Sequence, residues 1–158
     1  MSEPEPNASP VPSHEARLFT LFNEIGIINQ LSSTAFERVL PHGLTQAQFT
    51  VLNHCIRLGD NKTPAQLASA FQVTRGTLTS TLQRLEAKGF IALVPDAKDG
   101  RSKRVLLTAA GRNAAKESIV AAAPILTRAQ AALSREEVED LMPILIKLRI
   151  WLDTHRSL

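Results

Sequence analysis

Apolar side chains recur at helical spacing along most of this chain, with one short exception in its second half. Between Ser13 and Leu40 the spacing predicts a long first helix, and motifs that start helices recur further along. Thr45 with Gln48, and Ser134 with Glu137, have the spacing of capping boxes, in which side chains and main-chain amides bond reciprocally. The pattern therefore predicts a mainly helical protein.

The most strongly marked helix is predicted over Val73–Phe90. Thr74 has the position of an N-cap, and Gly89 lies where a helix ends in a left-handed residue. Leucines at i, i+4 and i+7 form one apolar face, which consists of Leu78, Leu82 and Leu85. The other face carries small, polar and basic side chains and no acidic one. It therefore offers hydrogen-bond donors and acceptors to a partner.

A shorter helix precedes this one, and two short strands follow it. Thr63-Pro64-Ala65-Gln66 predicts the helix start, because it combines an N-cap, a proline at N1 and a capping-box glutamine. Phe71–Val73 supplies a tight turn. Phe90–Val94 and Lys103–Leu107 flank a basic, glycine-containing loop and predict a β-hairpin. This order is typical of a helix-turn-helix with a wing, in which the second helix enters the DNA major groove.

The first helix, Ser13–Leu40, has more apolar surface than one neighbouring helix would cover. Apolar residues recur at mostly helical spacing and are joined by Phe19, Leu21 and Ile27, which widen the stripe. Surplus apolar surface in a small protein needs a second surface to bury it. Either a central core helix or a helix shared between two subunits would explain it.

Two further helices are predicted after the hairpin. Thr108 begins an alanine-rich helix that Pro124 is expected to interrupt or kink, because proline removes a helical hydrogen bond. Pro143 predicts a bend in the last helix. One face of that helix is apolar and consists of Val138, Leu141, Leu145, Leu148 and Leu152.

Positive charge is concentrated on the predicted helix-turn-helix and hairpin. The whole chain carries +3, whereas Gln72–Arg104 has seven Lys and Arg against three Asp and Glu, or +4, which leaves −1 elsewhere. A basic surface is the expected electrostatic footprint on nucleic acid, although a solvated charged face gives the same pattern. Apolar content of 44% with only 4% aromatic residues favours an aliphatic helical core.

Several other structural and functional classes have little support in the sequence. Met1–Pro12 is rich in proline and predicts a disordered tail. No apolar run approaches the ~20 residues that span a bilayer, and no secretory signal is recognisable, so a cytoplasmic location is predicted. The single cysteine, Cys55, fits a reducing compartment and is interpreted as a small buried hydrophobe. The four histidines lack metal-ligand spacing and catalytic motifs are missing, so no enzyme, cofactor or metal is predicted.

Three segments resemble the MarR family of winged-helix transcription regulators. They are LTQAQFTVL at 44–52, LASAFQVTRGTLTSTLQRLEAKGFI at 67–91 and DAKDGRSKRVLLTAAGR at 96–112. The most specific part is the wing pattern and the helix start after it, formed by Asp96, Lys98, Asp99, Arg101, Leu107, Thr108 and Gly111. Lys98 replaces a more usual arginine, and Leu93 stands where many members carry a basic residue.

The resemblance implies a mainly α protein with a small β-hairpin wing. It implies a single domain over 13–158, with a winged-helix part at about 44–108 and dimerisation helices at about 13–40 and 109–155. The first helix would then be shared between two subunits. The implied function is a homodimeric, sequence-specific regulator that binds a pseudo-palindromic operator in double-stranded DNA. It would be a repressor released by a small-molecule effector bound between the dimerisation helices and the winged-helix part.

The predicted DNA-binding residues lie on the second helix of the helix-turn-helix and on the wing. On the helix they are Thr74, Arg75, Gly76, Thr77, Thr79, Ser80, Gln83 and Arg84, and on the wing Lys98, Arg101 and Lys103. The resemblance places Arg101 in the minor groove, with Asp99 available to orient its guanidinium. Lys103 and Arg104 alternate along a strand, so only one can face DNA, and Lys103 is favoured. The alternative for Arg84 is an ion pair with an acidic side chain inside the protein.

The alternative function is a winged-helix module that binds protein or RNA without an operator. Such a protein-binding surface would show apolar anchors on the outward face of the second helix. That face carries arginine, threonine, serine, glutamine and glycine instead. The sequence therefore favours DNA.

Overall fold

The order of elements is that of a winged helix between longer helices. A computed structural model describes residues 12–156, so the predicted tail Met1–Pro12 lies outside the described residues except for Pro12. The helices are α1 (His14–Glu37), a 3-10 turn (Pro41–Gly43), α2 (Gln46–Leu58), α3 (Pro64–Phe71), α4 (Arg75–Ala87), α5 (Ala109–Ala129) and α6 (Arg135–Thr154). The strands are β1 (Ile91–Pro95) and β2 (Lys103–Leu107), and they pair antiparallel. This confirms the predicted fold class.

Hydroxyl side chains cap the helices where the sequence predicts. Thr45, Thr63 and Ser134 each form both bonds of a capping box. Thr74 accepts from the Thr77 amide at 3.1 Å and caps α4. Thr108 accepts from the Gly111 amide at 3.0 Å and caps α5.

Helix α4 is shorter than the predicted Val73–Phe90. It begins after Thr74, because an N-cap residue has an extended backbone. At its other end Gly89 has φ +73°, and the Phe90 amide donates to the Leu85 carbonyl at 3.0 Å. This left-handed termination turns the chain directly into β1.

The core lies inside the winged-helix part. Leu52, Leu67, Leu82, Leu85 and Val105 are at most 1% exposed and come from α2, α3, α4 and β2. The loop between α2 and α3 also joins the hairpin at Val105. The Asn61 amide donates to the Val105 carbonyl at 2.8 Å, and the Val105 amide donates to the Lys62 carbonyl at 2.9 Å. The helix-turn-helix, formed by α3 and α4, and the wing, formed by β1 and β2, therefore share one packed core.

Helix α5 starts against the ends of α4 and β1. The Thr108 hydroxyl donates to the Gly89 carbonyl at 2.7 Å, and the Thr108 amide donates to the Phe90 carbonyl at 3.2 Å. Gly111 is buried there, and a β-carbon built on it would lie 2.0 Å from the Phe90 carbonyl oxygen. Only glycine permits this approach of helix to strand.

The prolines inside α5 and α6 do not end either helix. Helix α5 continues through Pro124 to Ala129, and α6 continues through Pro143. The predicted interruption at Pro124 is therefore wrong, whereas the predicted kink there and the bend at Pro143 stay predictions. A proline removes one helical amide, while the bonds of the adjacent turns keep the helix continuous.

The contacts divide the chain after Ala35, and each unit has an exposed apolar helix face. In α1 no residue is buried, and Phe19, Ile28 and Leu31 are between 61% and 68% exposed. In α6 no residue is buried either, and Trp151 is 48% exposed. The surplus apolar surface that the sequence predicts is therefore uncovered in the single chain. Between residues 12 and 156 no helix combines the length and apolarity needed to cross a bilayer.

Candidate nucleic-acid interface

One face of α4 is exposed while the opposite face forms part of the core. Leu78, Leu82 and Leu85 are buried on the inner face. All eight predicted helix residues are exposed: Thr74, Arg75, Gly76, Thr77, Thr79, Ser80, Gln83 and Arg84. Arg84 takes part in none of the ion pairs formed within residues 12–156, so the alternative of an internal partner is not supported.

The hydroxyl groups on α4 differ in what they can offer to a partner. The Thr79 hydroxyl donates to the Arg75 carbonyl at 2.7 Å, which leaves its lone pairs and methyl group for other contacts. Thr74 and Thr77 share a hydroxyl hydrogen bond of 2.8 Å. In the described part of the chain, the side chains of Ser80 and Gln83 have no hydrogen-bond partner. Their donors and acceptors are therefore available.

A groove of about 480 Å³ separates α4 from the wing. It brings together five predicted site residues, namely Arg75, Thr79, Gln83, Arg101 and Lys103. The other six predicted site residues are not part of its lining; they are Thr74, Gly76, Thr77, Ser80, Arg84 and Lys98. Three of the five are cationic. Glu86 also lines the groove, and its carboxylate accepts from the Leu93 amide at 3.1 Å. The lining therefore keeps a positive excess, which suits an anionic chain such as a phosphate backbone.

Sequence reasoning missed part of this groove. Thr63, Pro64 and Ala65, at the start of α3, line it together with Ser102 of the wing. The capping motif at Thr63 was a usable signal, because the positive end of a helix dipole favours anions. Leu93 also lines the groove, at the position where many members carry a basic residue.

The two aspartates of the wing organise its backbone. Asp96 accepts from the Lys98 amide at 2.8 Å, and Asp99 accepts from the Arg101 amide at 3.0 Å. The Asp99 bond thus goes to the main chain of Arg101, and no hydrogen bond within residues 12–156 joins Asp99 to its guanidinium. Asp99 therefore holds the main chain of the wing through Oδ1, and its role in orienting the Arg101 guanidinium stays a prediction.

Arg104 and Lys103 point in opposite directions. Arg104 donates from Nε to Asp96 Oδ2 at 2.6 Å and from Nη1 to the Asn61 carbonyl at 2.8 Å. Lys103 is exposed and lines the groove. The predicted alternation is confirmed. The Lys98 amide, and to a lesser extent the Arg104 guanidinium, keep the pKa of the Asp96 carboxyl below its ordinary value.

Cys55 is buried, and His42 and His54 each contact other side chains of the fold. Cys55 is 2% exposed, and burial raises its pKa to about 11, so its thiol stays protonated at neutral pH. This confirms it as a small buried hydrophobe. His42 contacts Glu117 at 2.5 Å, and His54 packs edge-on against Phe71. Within residues 12–156 no group of three or more His, Cys, Asp or Glu is arranged to hold a metal ion.

Solved structures of transcription regulators share this fold. A probable transcriptional regulator from Pseudomonas aeruginosa is 30% identical with a TM-score of 0.69, over 81% of this chain and 96% of that one. A mutant of MarR from E. coli, solved in complex with operator DNA, is 29% identical with a TM-score of 0.71, over 87% of this chain and 99% of that one.

Sequence comparison gives the same family. The profile of the MarR family matches residues 42–102. The transcriptional activatory protein BadR from Rhodopseudomonas palustris is 36% identical over 87 residues, which is 54% of this chain. The match spans 50% of the length of BadR. With the winged helix and the structural relatives, these matches show that the chain belongs to the MarR family of winged-helix transcription regulators.

Proposed function

We propose that this protein is a homodimeric regulator that binds a two-fold-related operator in double-stranded DNA. The observation that carries the proposal is the exposed face of α4 beside a groove lined by Arg75, Arg101 and Lys103. Major-groove recognition needs a helix whose polar side chains reach base edges while cations hold the backbone. Both requirements are met on one surface of this chain.

The roles of the site residues follow from their hydrogen bonds. Ser80 and Gln83 have free donors and acceptors and are the proposed readers of base edges. Arg75, Arg101 and Lys103 contact phosphates or enter the minor groove, since they line the groove between helix and wing. Thr74, Gly76, Thr77, Thr79, Arg84 and Lys98 complete the proposed contact surface.

A protein- or RNA-binding module is the weaker candidate. Protein-binding surfaces depend on buried apolar or aromatic anchors. Apart from Gly76 and Ala87, the exposed side chains of α4 are polar or charged, and no aromatic residue lies among them. This composition supports a nucleic-acid partner. The wing beside the helix fits a duplex, in which major and minor grooves adjoin.

Dimerisation is proposed from the uncovered apolar faces of α1 and α6. We expect the protein to sediment as a dimer at micromolar concentration, because a second copy would remove these faces from water. Its two α4 helices would then meet half-sites about one helical turn, or ~10 base pairs, apart. A stable monomer under these conditions would contradict both the dimer and the two-fold operator.

Single substitutions on α4 separate base reading from backbone contact. We expect Gln83→Ala to change the preferred base at one or two operator positions, at a cost of ~1–3 kcal/mol for a lost base contact. Arg84→Ala is the matched control. If Arg84 contacts only phosphate, its loss weakens binding to all sequences alike.

The measurement is selection from a random duplex library, followed by titration at several salt concentrations. Binding that is strong, specific and weakened by salt would support the proposal. If neither substitution changes binding while the helical content stays intact, α4 does not read DNA.

We further propose that the protein represses transcription and that a small-molecule effector releases it from DNA. Both parts of this proposal rest on the family resemblance rather than on contacts within this chain. The relative BadR is named an activatory protein, so the direction of regulation needs a direct test. A reporter gene placed behind the selected operator should lose expression when the protein is supplied. A rise in expression would identify an activator.

A further inference from the structure

A side-chain hydrogen bond joins the end of α6 to the winged-helix part. Arg156 donates from Nη1 to the main-chain carbonyl of Ser69 at 3.0 Å. Asp153, one turn earlier, holds the same guanidinium, since Arg156 Nε donates to Asp153 Oδ1 at 3.0 Å and Nη2 contacts the same oxygen. The guanidinium therefore joins two elements that are 87 residues apart in sequence.

The acceptor carbonyl lies next to the turn that joins the two helices of the helix-turn-helix. Ser69 is in the last turn of α3, and its carbonyl also accepts from the Gln72 amide at 3.3 Å. Gln72 has φ +53° and leads through Val73 to the N-cap of α4. A cation is favourable at this end of a helix, where carbonyl groups lack helical partners. The Arg156 bond therefore acts on the turn that sets the direction of α4.

The end of α6 is itself held in place. Trp151 stacks on His155 with ring centroids 4.5 Å apart, and the Thr154 hydroxyl contacts the Trp151 carbonyl at 2.9 Å. These contacts order the last turn of the helix. Asp153 is thus presented from the helix, and it holds Arg156 in the turn that follows.

The winged-helix part is attached to both C-terminal helices, and α5 packs into its core through the buried Ala114 and Ala115. Helix α5 is attached at the end of β1, through Thr108 and Gly111. Beyond the end of α6, Arg156 is attached at Ser69, in the last turn of α3. This contact is separate from those of α5, so it adds a restraint on movement of α3 and α4 relative to α6.

We propose that Arg156 is a positioning residue that fixes the orientation of α3 and α4 relative to α6. The proposal rests on the dimeric, operator-binding function argued above. If α6 belongs to the dimer interface, the Arg156 bond sets the angle and separation of the two α4 helices. Arg156 itself touches no base, so its effect is on tolerance of half-site spacing rather than on base preference.

The test compares Arg156→Ala with Arg135→Ala. Arg135 forms an ion pair with Glu139 on the same helix, at 2.8 Å, and that pair involves no residue of the winged-helix part. Each variant is titrated with the selected operator and with operators carrying one base pair inserted or deleted between the half-sites. A melting curve checks that each variant is folded.

We expect the wild-type protein to bind the altered operators about tenfold or more weakly than the selected one. In Arg156→Ala this ratio should fall to about twofold or threefold, as loss of a charge-assisted hydrogen bond permits. Arg135→Ala should keep the wild-type ratio. Arg156→Lys should give a ratio between those of the wild type and Arg156→Ala, because an ammonium group donates hydrogen bonds without the planar geometry of a guanidinium. An unchanged ratio in Arg156→Ala would overturn the proposal.

Hydrogen exchange in the free protein gives a result that does not depend on DNA. In Arg156→Ala the Gln72 and Val73 amides should exchange several-fold faster, while Arg135→Ala leaves them unchanged. Suppose that no variant binds any duplex, but the Gln72 and Val73 amides exchange faster in Arg156→Ala. The proposed operator binding would then be contradicted, while the positioning contact of Arg156 would be supported. If exchange at the turn is unchanged, the proposed positioning role fails.

Discussion

Replacing Gly111 with alanine should destabilise the protein by about 3 kcal/mol. The new β-carbon would lie 2.0 Å from the Phe90 carbonyl oxygen and 2.9 Å from Leu107 Cδ1. Neither atom can move freely, because the Phe90 carbonyl accepts from the Thr108 amide and Leu107 belongs to the core. Relief of the clash therefore requires α5 to separate from the base of the wing.

Urea or thermal unfolding of the purified variant measures this effect. The expected shift in melting temperature is about −6 to −12 °C for a protein of this size. Gly76→Ala is the matched control, because Gly76 is also in a helix but its β-carbon would meet only Thr74 Oγ1, at 4.0 Å. It should be neutral or stabilise the fold by up to ~1 kcal/mol. Equal stability of the Gly111 variant and the wild type would show that α5 is not held this closely.

Replacing Arg101 with alanine should weaken operator binding without affecting the fold. Arg101 is exposed, and its side chain lines the groove between α4 and the wing. An arginine in the minor groove responds to the negative potential of narrow A·T tracts. Its loss should reduce affinity, and should lower the slope of log affinity against log salt by roughly one unit for each half-site contact removed. The melting temperature should hardly change, since an exposed loop residue contributes little to the core.

Arg104→Ala provides the contrast within the same hairpin. Arg104 ties Asp96 to the Asn61 carbonyl, so its loss should lower thermal stability as well as binding. An Arg101→Ala protein with unchanged affinity and salt slope would mean that the wing has only a structural role.

The elements could be predicted because their signals are local in sequence. Thr45, Thr63 and Ser134 each cap a helix with a partner three residues away, so the motif itself contains the interaction. Gly89 ends α4 for a similarly local reason. The predicted helix extended beyond α4 at both ends, because the residues that flank a cap lie next to the helix without belonging to it.

The contacts that complete the site are between distant parts of the chain. Periodicity predicted that Arg104 and Lys103 lie on opposite faces of β2, but nothing local indicates that Arg104 reaches the carbonyl of Asn61, 43 residues earlier. The lining of the groove by Thr63 depends on how α3 packs beside the wing. The contact of Arg156 with Ser69 depends on the path of α5 and α6. Such contacts follow from tertiary packing, which motif spacing does not encode.

The hydrogen bonds of α4 also affect how this surface can evolve. Ser80 and Gln83 are exposed, and within residues 12–156 their side chains form no hydrogen bond that the fold would lose. Substitutions there should have little effect on folding free energy, so most such variants would remain folded and be exposed to selection on binding alone. Thr79 is less free to vary, because its hydroxyl is bonded to the Arg75 carbonyl. Divergence of duplicated copies toward new operators should therefore begin at Ser80 and Gln83.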